Sequence, residues 1–325
     1  SGNNPPDLFY MGWDQFQTYA KNGYLEPYAE NLSNADQFYP ALKDAFTYDG
    51  TFYCAPKDFS TLGLIINTDL WTAAGLTDAD IPTDWAGLTA AATKLTTADT
   101  VGLSFGQEYA RIGVFMNQAG GKLVDGTTIT ADSAENAAGI DYVKSLLDAG
   151  VLKFPPQLEA GWGGEAFGLQ KAAMVIEGPW INGALKNDFP DVKFISAELP
   201  AGPGGPSTFT FSNCWGIPAG SPTLEATQSL VEYLTTDEQQ LKFADAFGVI
   251  PSTQSGAATY ATKFPNNAAF VAGNDYAVSP VAFAGASAVL GDFNASLEGL
   301  ATSDAKSLLK TLQTNLEDAF TKANG

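Results

Sequence analysis

Gly161–Trp180 reads GWGGEAFGLQKAAMVIEGPW. Its first part predicts a short helix with Ala166, Phe167 and Leu169 turned inward. The apolar run Ala172-Ala173-Met174-Val175-Ile176 predicts a buried strand, and a Gly-Pro turn then presents Trp180 at the start of another helix. A tryptophan thus stands at each end of one strand and helix unit. An indole beside a strand end covers apolar C–H surface with little rotamer entropy to lose, which suits a stacking platform. The same pattern also suits core packing followed by a helix N-terminus.

Working outward, helix and strand signals keep alternating. Ala41–Ala45, Ala86–Leu95, Ala134–Ala149 (closed by Gly150) and Leu224–Thr235 (entered through Ser221-Pro222) read as helices, and Leu62–Asn67 as a buried strand. Short apolar strands between helices imply an α/β protein whose mixed sheets are covered on both faces. Ala201-Gly202-Pro203-Gly204-Gly205-Pro206 lacks the Lys-Ser/Thr ending of a phosphate loop and reads as a surface turn. No internal repeat or heptad run is evident. The 325 residues allow two or three domains, and 45% hydrophobic content supplies ample core.

Charge narrows the partners. Thirty-six acids against 16 bases give a net charge of −20, which argues against nucleic acid or an anionic membrane surface. Arg111 is the single arginine, so the guanidinium clamps that phosphate and carboxylate ligands favour are nearly absent and an uncharged ligand is indicated. Histidine is absent altogether, which removes imidazole metal sites and every Ser-His or Cys-His nucleophile pair. Gly102-Leu103-Ser104-Phe105-Gly106 spells a nucleophile elbow, yet with no base to take its proton Ser104 is an ordinary serine. No cofactor or metal is implied. Asp14, Asp58, Glu165, Glu177 and Asp292 fall near candidate loops. Two carboxylates facing a sugar could make a glycoside hydrolase, or could only accept hydrogen bonds from sugar hydroxyls.

Phe9-Tyr10-Met11-Gly12-Trp13-Asp14-Gln15-Phe16 with Tyr19-Ala20-Lys21-Asn22-Gly23-Tyr24-Leu25, then Pro56-Lys57-Asp58 running to Leu64-Ile65-Ile66-Asn67-Thr68-Asp69-Leu70, then Lys171-Ala172-Ala173-Met174 and Gly178-Pro179-Trp180, come in one order along the chain. In these segments the chain resembles the extracellular solute-binding proteins of bacterial ABC sugar importers, the group typified by maltose-binding protein. The resemblance implies a two-lobe periplasmic-binding-protein-like fold of type II, mixed sheets flanked by helices, with a hinge between the lobes. It places residues 1–58 and 214–276 in the first lobe and residues 59–213 and 277–325 in the second. The family's opening strand, helix and strand, and any export signal, would precede Ser1.

The resemblance also implies a function: a monomeric, extracytoplasmic receptor, a cell-surface lipoprotein or a periplasmic protein, that binds a mono- or oligosaccharide and delivers it to an ABC transporter permease. It selects binding over catalysis, leaving the carboxylate glycosidase and a charged-ligand receptor, such as one for glycerol phosphate, as alternatives. The ligand-binding residues it indicates are Tyr10, Trp13, Asp14, Asp58, Tyr109, Arg111, Trp162, Glu165, Trp180, Asn213, Trp215, Asp292 and Phe293. Cys54 and Cys214, the only cysteines, lie in the family beside adjacent crossover strands, so the resemblance favours a disulfide over two buried thiols.

Overall fold

The computed structural model describes residues 5–324. Two compact units emerge, each assembled from separated pieces of chain. The first runs through Ser60 and adds Thr210–Pro265 and Ser279–Ser287; the second comprises Thr61–Phe209, Asn266–Val278 and the chain from Ala288 onward. Passages expected near residues 59, 213 and 277 compare with passages after 60, 209 and 278, and two more follow 265 and 287. Residues 266–276, expected in the first lobe, therefore belong to the second unit.

Strands are labelled in chain order: β1 Phe9–Gly12, β2 Ala55–Thr61, β3 Gly63–Asn67, β4 Val101–Ser104, β5 Leu152–Lys153, β6 Ala172–Glu177, β7 Phe194–Ala197, β8 Thr208–Gly216 and β9 Ala277–Val278. The second unit is built on a mixed sheet in the order β7-β3-β6-β4-β5. β3 is antiparallel to both its neighbours, whereas β6, β4 and β5 run parallel. Every residue of β3 and β6 is buried, as central strands covered on both faces demand. Helix Gly163–Gly168 feeds β6, and helix Ile181–Asp188 follows it. Leu169, expected inward, is 46% exposed because the helix stops one residue earlier, at Gly168.

The G-x-S-x-G pattern has a packing origin. A Cβ on Gly102 would stand 2.0 Å from the Ala92 carbonyl oxygen, so a helix crosses this strand too closely for any side chain. Ser104 itself is fully buried within β4, away from any elbow. The turn at 201–206 is pinned to the end of helix Tyr109–Gln118, Gly204 N donating to the Gln118 carbonyl at 2.7 Å.

In the first unit β1 is antiparallel to β8, with Tyr10 opposite Trp215 and Gly12 opposite Asn213, and β2 also pairs with β8. Helix Trp13–Lys21 follows β1 directly and buries Phe16 and Ala20. The core gathers Met11, Phe16, Tyr28, Phe38, Phe46, Phe52 and both cysteines. Cys54 and Cys214 are disulfide-bonded, and both lie in this unit. The Tyr28 hydroxyl bridges the same region, donating to the Trp215 carbonyl and accepting from Ala55 N.

Candidate functional site

In the second unit Trp180 stands at the head of helix Ile181–Asp188. Its indole Nε1–H donates to Glu177 Oε2 at 3.1 Å, and the same oxygen accepts from Arg111 Nη2 at 2.5 Å. The other terminal nitrogen of Arg111 meets Glu108 Oε1 at 2.9 Å, and the guanidinium lies 5.5 Å from the indole centroid. The cation is thus held by two acids while it rests against the ring. Glu177 is only 1% exposed, and burial pushes its carboxyl above the usual range against the pull of Arg111. Gly163 is needed beside it, because a Cβ there would come within 2.7 Å of Glu177 Oε1.

Trp162 is the N-cap residue of the preceding helix, and Glu165 lies in its first turn. The Trp162 ring lies against Gly164, whose Cβ, if present, would be 2.1 Å from it. Glu165 Oε2 accepts from Gly161 N at 2.7 Å, so its charge shapes its own loop and meets the positive helix N-terminus.

A second cluster forms in the first unit on one face of its sheet. Register sets Tyr10 and Gly12 opposite Trp215 and Asn213, and the Tyr10 and Trp215 rings meet edge to face at 6.2 Å. Tyr10 remains 63% exposed. The Lys57 ammonium lies 5.4 Å from the Tyr10 centroid and 3.9 Å from that of Phe243, while it pairs with Asp58. Asp58, 4% exposed, is also hydrogen-bonded by the Asn213 side chain. Burial lifts its carboxyl above the usual range in spite of Lys57. The Asp14 carboxylate folds back over Gly12, where a Cβ would lie 2.4 Å from Oδ1 and 3.7 Å from Asn213 Oδ1.

The remaining expected residues are placed elsewhere. Trp13 packs against Phe211 at 6.3 Å and lines a cavity of about 290 Å³ with Gln17, Leu42, Thr210 and Ser212, apart from the Tyr10 and Trp215 pair. Tyr109 and Phe293 are core residues, their rings 6.5 Å apart with Phe209 against Tyr109. What anchors this part is Asn294, whose Oδ1 accepts from Tyr109 N at 2.7 Å. Asp292 is exposed on helix Ala286–Leu297. Lys57, Glu108 and Phe243 join the clusters without being expected there, and Glu177, read from the sequence as a carboxylate near a candidate loop, joins them although it is not among the indicated ligand contacts. An acid closing an otherwise apolar strand just before Gly178-Pro179 was the visible signal for Glu177; Phe243 carried none.

Residues 1–280 match the family model described as bacterial extracellular solute-binding protein. The chain belongs to that family. A relative of this solute-binding protein, the maltooligosaccharide ABC transporter solute-binding lipoprotein of Streptococcus pneumoniae strain R6, is 28% identical over 270 residues, covering 77% of this chain and 60% of the relative. The chain therefore spans about 60% of the length of that curated protein. Two solved structures show the fold. The ABC substrate-binding protein Lmo0181 of Listeria monocytogenes, in complex with cycloalternan, superposes with a TM-score of 0.89 at 23% identity, over 98% of this chain and 86% of that one. An ABC transporter solute-binding protein of Thermotoga lettingae, bound with α-D-tagatose, gives 0.85 at 21% identity, over 97% and 85%. This solute-binding protein thus has the type II periplasmic-binding-protein fold. No described helix is long and apolar enough to cross a membrane.

Proposed function

We propose that this protein is the extracytoplasmic receptor of an ABC sugar importer, binding a neutral oligosaccharide and handing it unchanged to a membrane permease. The observation that carries the reading is the Arg111 cluster. With both terminal nitrogens of the lone arginine taken by Glu108 and Glu177 beside Trp180, the ring is set next to two acids and one cation, an environment that repels an anionic ligand. Ring faces would bury the apolar C–H patches of pyranoses, and Asp14, Asn213 and other polar groups would satisfy the hydroxyls that lose water. The maltooligosaccharide named for the S. pneumoniae relative suggests α-linked glucose oligomers as the first class to try.

Catalysis has weaker support. A glycosidase needs a carboxylic acid and a carboxylate free to exchange protons with substrate, yet Asp58 is tied to Lys57 and Asn213, Glu177 to Arg111 and Trp180, and Glu165 to Gly161 N. Calorimetric titration with maltose through maltotetraose, mannobiose and glycerol phosphate, alongside an assay for released reducing ends, tests the reading. Saturable binding of a neutral sugar without hydrolysis is expected; binding of glycerol phosphate alone, or sugar cleavage, would refute it.

A further inference from the structure

We infer that Glu177 is the positioning residue for the Trp180 indole, an inference that rests on reading Trp180 as a ring offered to sugar. One carboxylate oxygen, Oε2, gathers two donors, the indole Nε1–H at 3.1 Å and Arg111 Nη2 at 2.5 Å. The N–H bond fixes the edge of the ring, and Arg111, held in place by Glu177 and by Glu108, fixes what lies against it. The carboxylate cannot swing aside, since its Oε1 is packed against Gly163 and the group is 1% exposed. Charge matters here as well as shape. An ionised acceptor makes a stronger hydrogen bond than an amide oxygen, and a glutamine would leave Arg111 with only Glu108 as counter-ion.

The test reads the ring itself. In ¹⁵N–¹H spectra the Trp180 indole resonance, assigned as the one lost in Trp180→Phe, should exchange with water at least tenfold faster in Glu177→Gln than in wild type. Should Glu177→Gln fail to fold, Glu177→Leu combined with Arg111→Leu, which removes both charges together, should show the same acceleration. Unchanged indole exchange in whichever variant folds would overturn the inference.

Maltotriose separates this from the sugar reading. If maltotriose binds, Glu177→Gln should weaken it at least fivefold, and should not do so when Trp180 is already Phe, which lacks the N–H. A weakening that persists undiminished in the Trp180→Phe background would assign Glu177 a merely structural role and overturn the inference. If no sugar of the panel shifts the Trp180 resonance while the exchange effect holds, the sugar reading fails and the positioning role stands.

Discussion

The two units carry the same device built by different means. In the first, a Lys57 and Asp58 pair lies under Tyr10, and the ring is aimed by strand register, Tyr10 facing Trp215 across an antiparallel ladder. In the second, an Arg111 and Glu177 pair lies beside Trp180, and the ring is aimed by a side-chain hydrogen bond at the entrance to a helix. Register is set by many backbone bonds and survives the loss of any one side chain. A ring oriented by a side-chain hydrogen bond is more sensitive to loss of its one acceptor carboxylate. The first cluster should therefore tolerate substitution of its charged pair better than the second.

The disulfide reinforces that contrast and gives the largest expected effect. It joins residues 160 apart within the first unit, beside β2 and β8. Loop-closure entropy for so long a loop is worth up to ~5 kcal/mol. Replacing both cysteines with alanine should lower the free energy of urea unfolding by several kcal/mol and leave the Trp180 environment, read by near-ultraviolet circular dichroism, unchanged below the transition. Loss of the Trp180 signal before global unfolding would mean that the two clusters are not independently held.

Next in size comes truncation of the acids. Glu177→Ala leaves Arg111 buried beside Glu108 alone, and breaking such a pair costs about 3 kcal/mol or more. Asp58→Ala leaves Lys57 its two aromatic contacts, so a smaller loss, about 2 kcal/mol, is expected. Equal losses in urea unfolding would erase the proposed difference between the clusters.

The amide variants sharpen it through pH. Both carboxyls stand above their ordinary values because burial disfavours the charge. A raised acid gives its full contribution below its unfolded value and loses it as pH rises through the folded value. The stability difference between each amide variant, Glu177→Gln or Asp58→Asn, and wild type should accordingly move in the variant's favour as pH rises from about 4. A difference that moves against the variants as pH rises would show that the cations outweigh burial.

How much of this was legible in the sequence depends on how local each determinant is. Ala172–Ile176 as strand, Gly178-Pro179 as the turn before a helix, and Trp180 at its head are set within a few residues. The fate of Leu169 hinged on where a helix ends, a matter of one residue. Tyr10 meets Trp215, and Arg111 meets Glu177, only after long stretches of chain have folded between them, so neither pairing shows in spacing or composition. The resemblance names Tyr109 and Phe293 as ligand contacts and both are buried, for an aromatic on a helix looks the same in sequence whether it faces ligand or core. The lone arginine pointed toward an uncharged ligand, and its pairing with two acids strengthens that expectation by a route the sequence could not display.

The smallest expected effect on stability tests the central claim most directly. Trp180→Ala removes a ring beside, not within, the core and should change the melting temperature little, because Glu177 and Arg111 keep each other. Its effect on binding should be large by comparison, about 1–3 kcal/mol of lost stacking. The measurement is calorimetric titration of wild type and Trp180→Ala with the neutral sugar that the panel identifies. The account predicts saturable binding by the wild type and roughly 5- to 150-fold weaker binding by the variant at unchanged stability; equal affinities, or a variant that loses binding only because it unfolds, would contradict it.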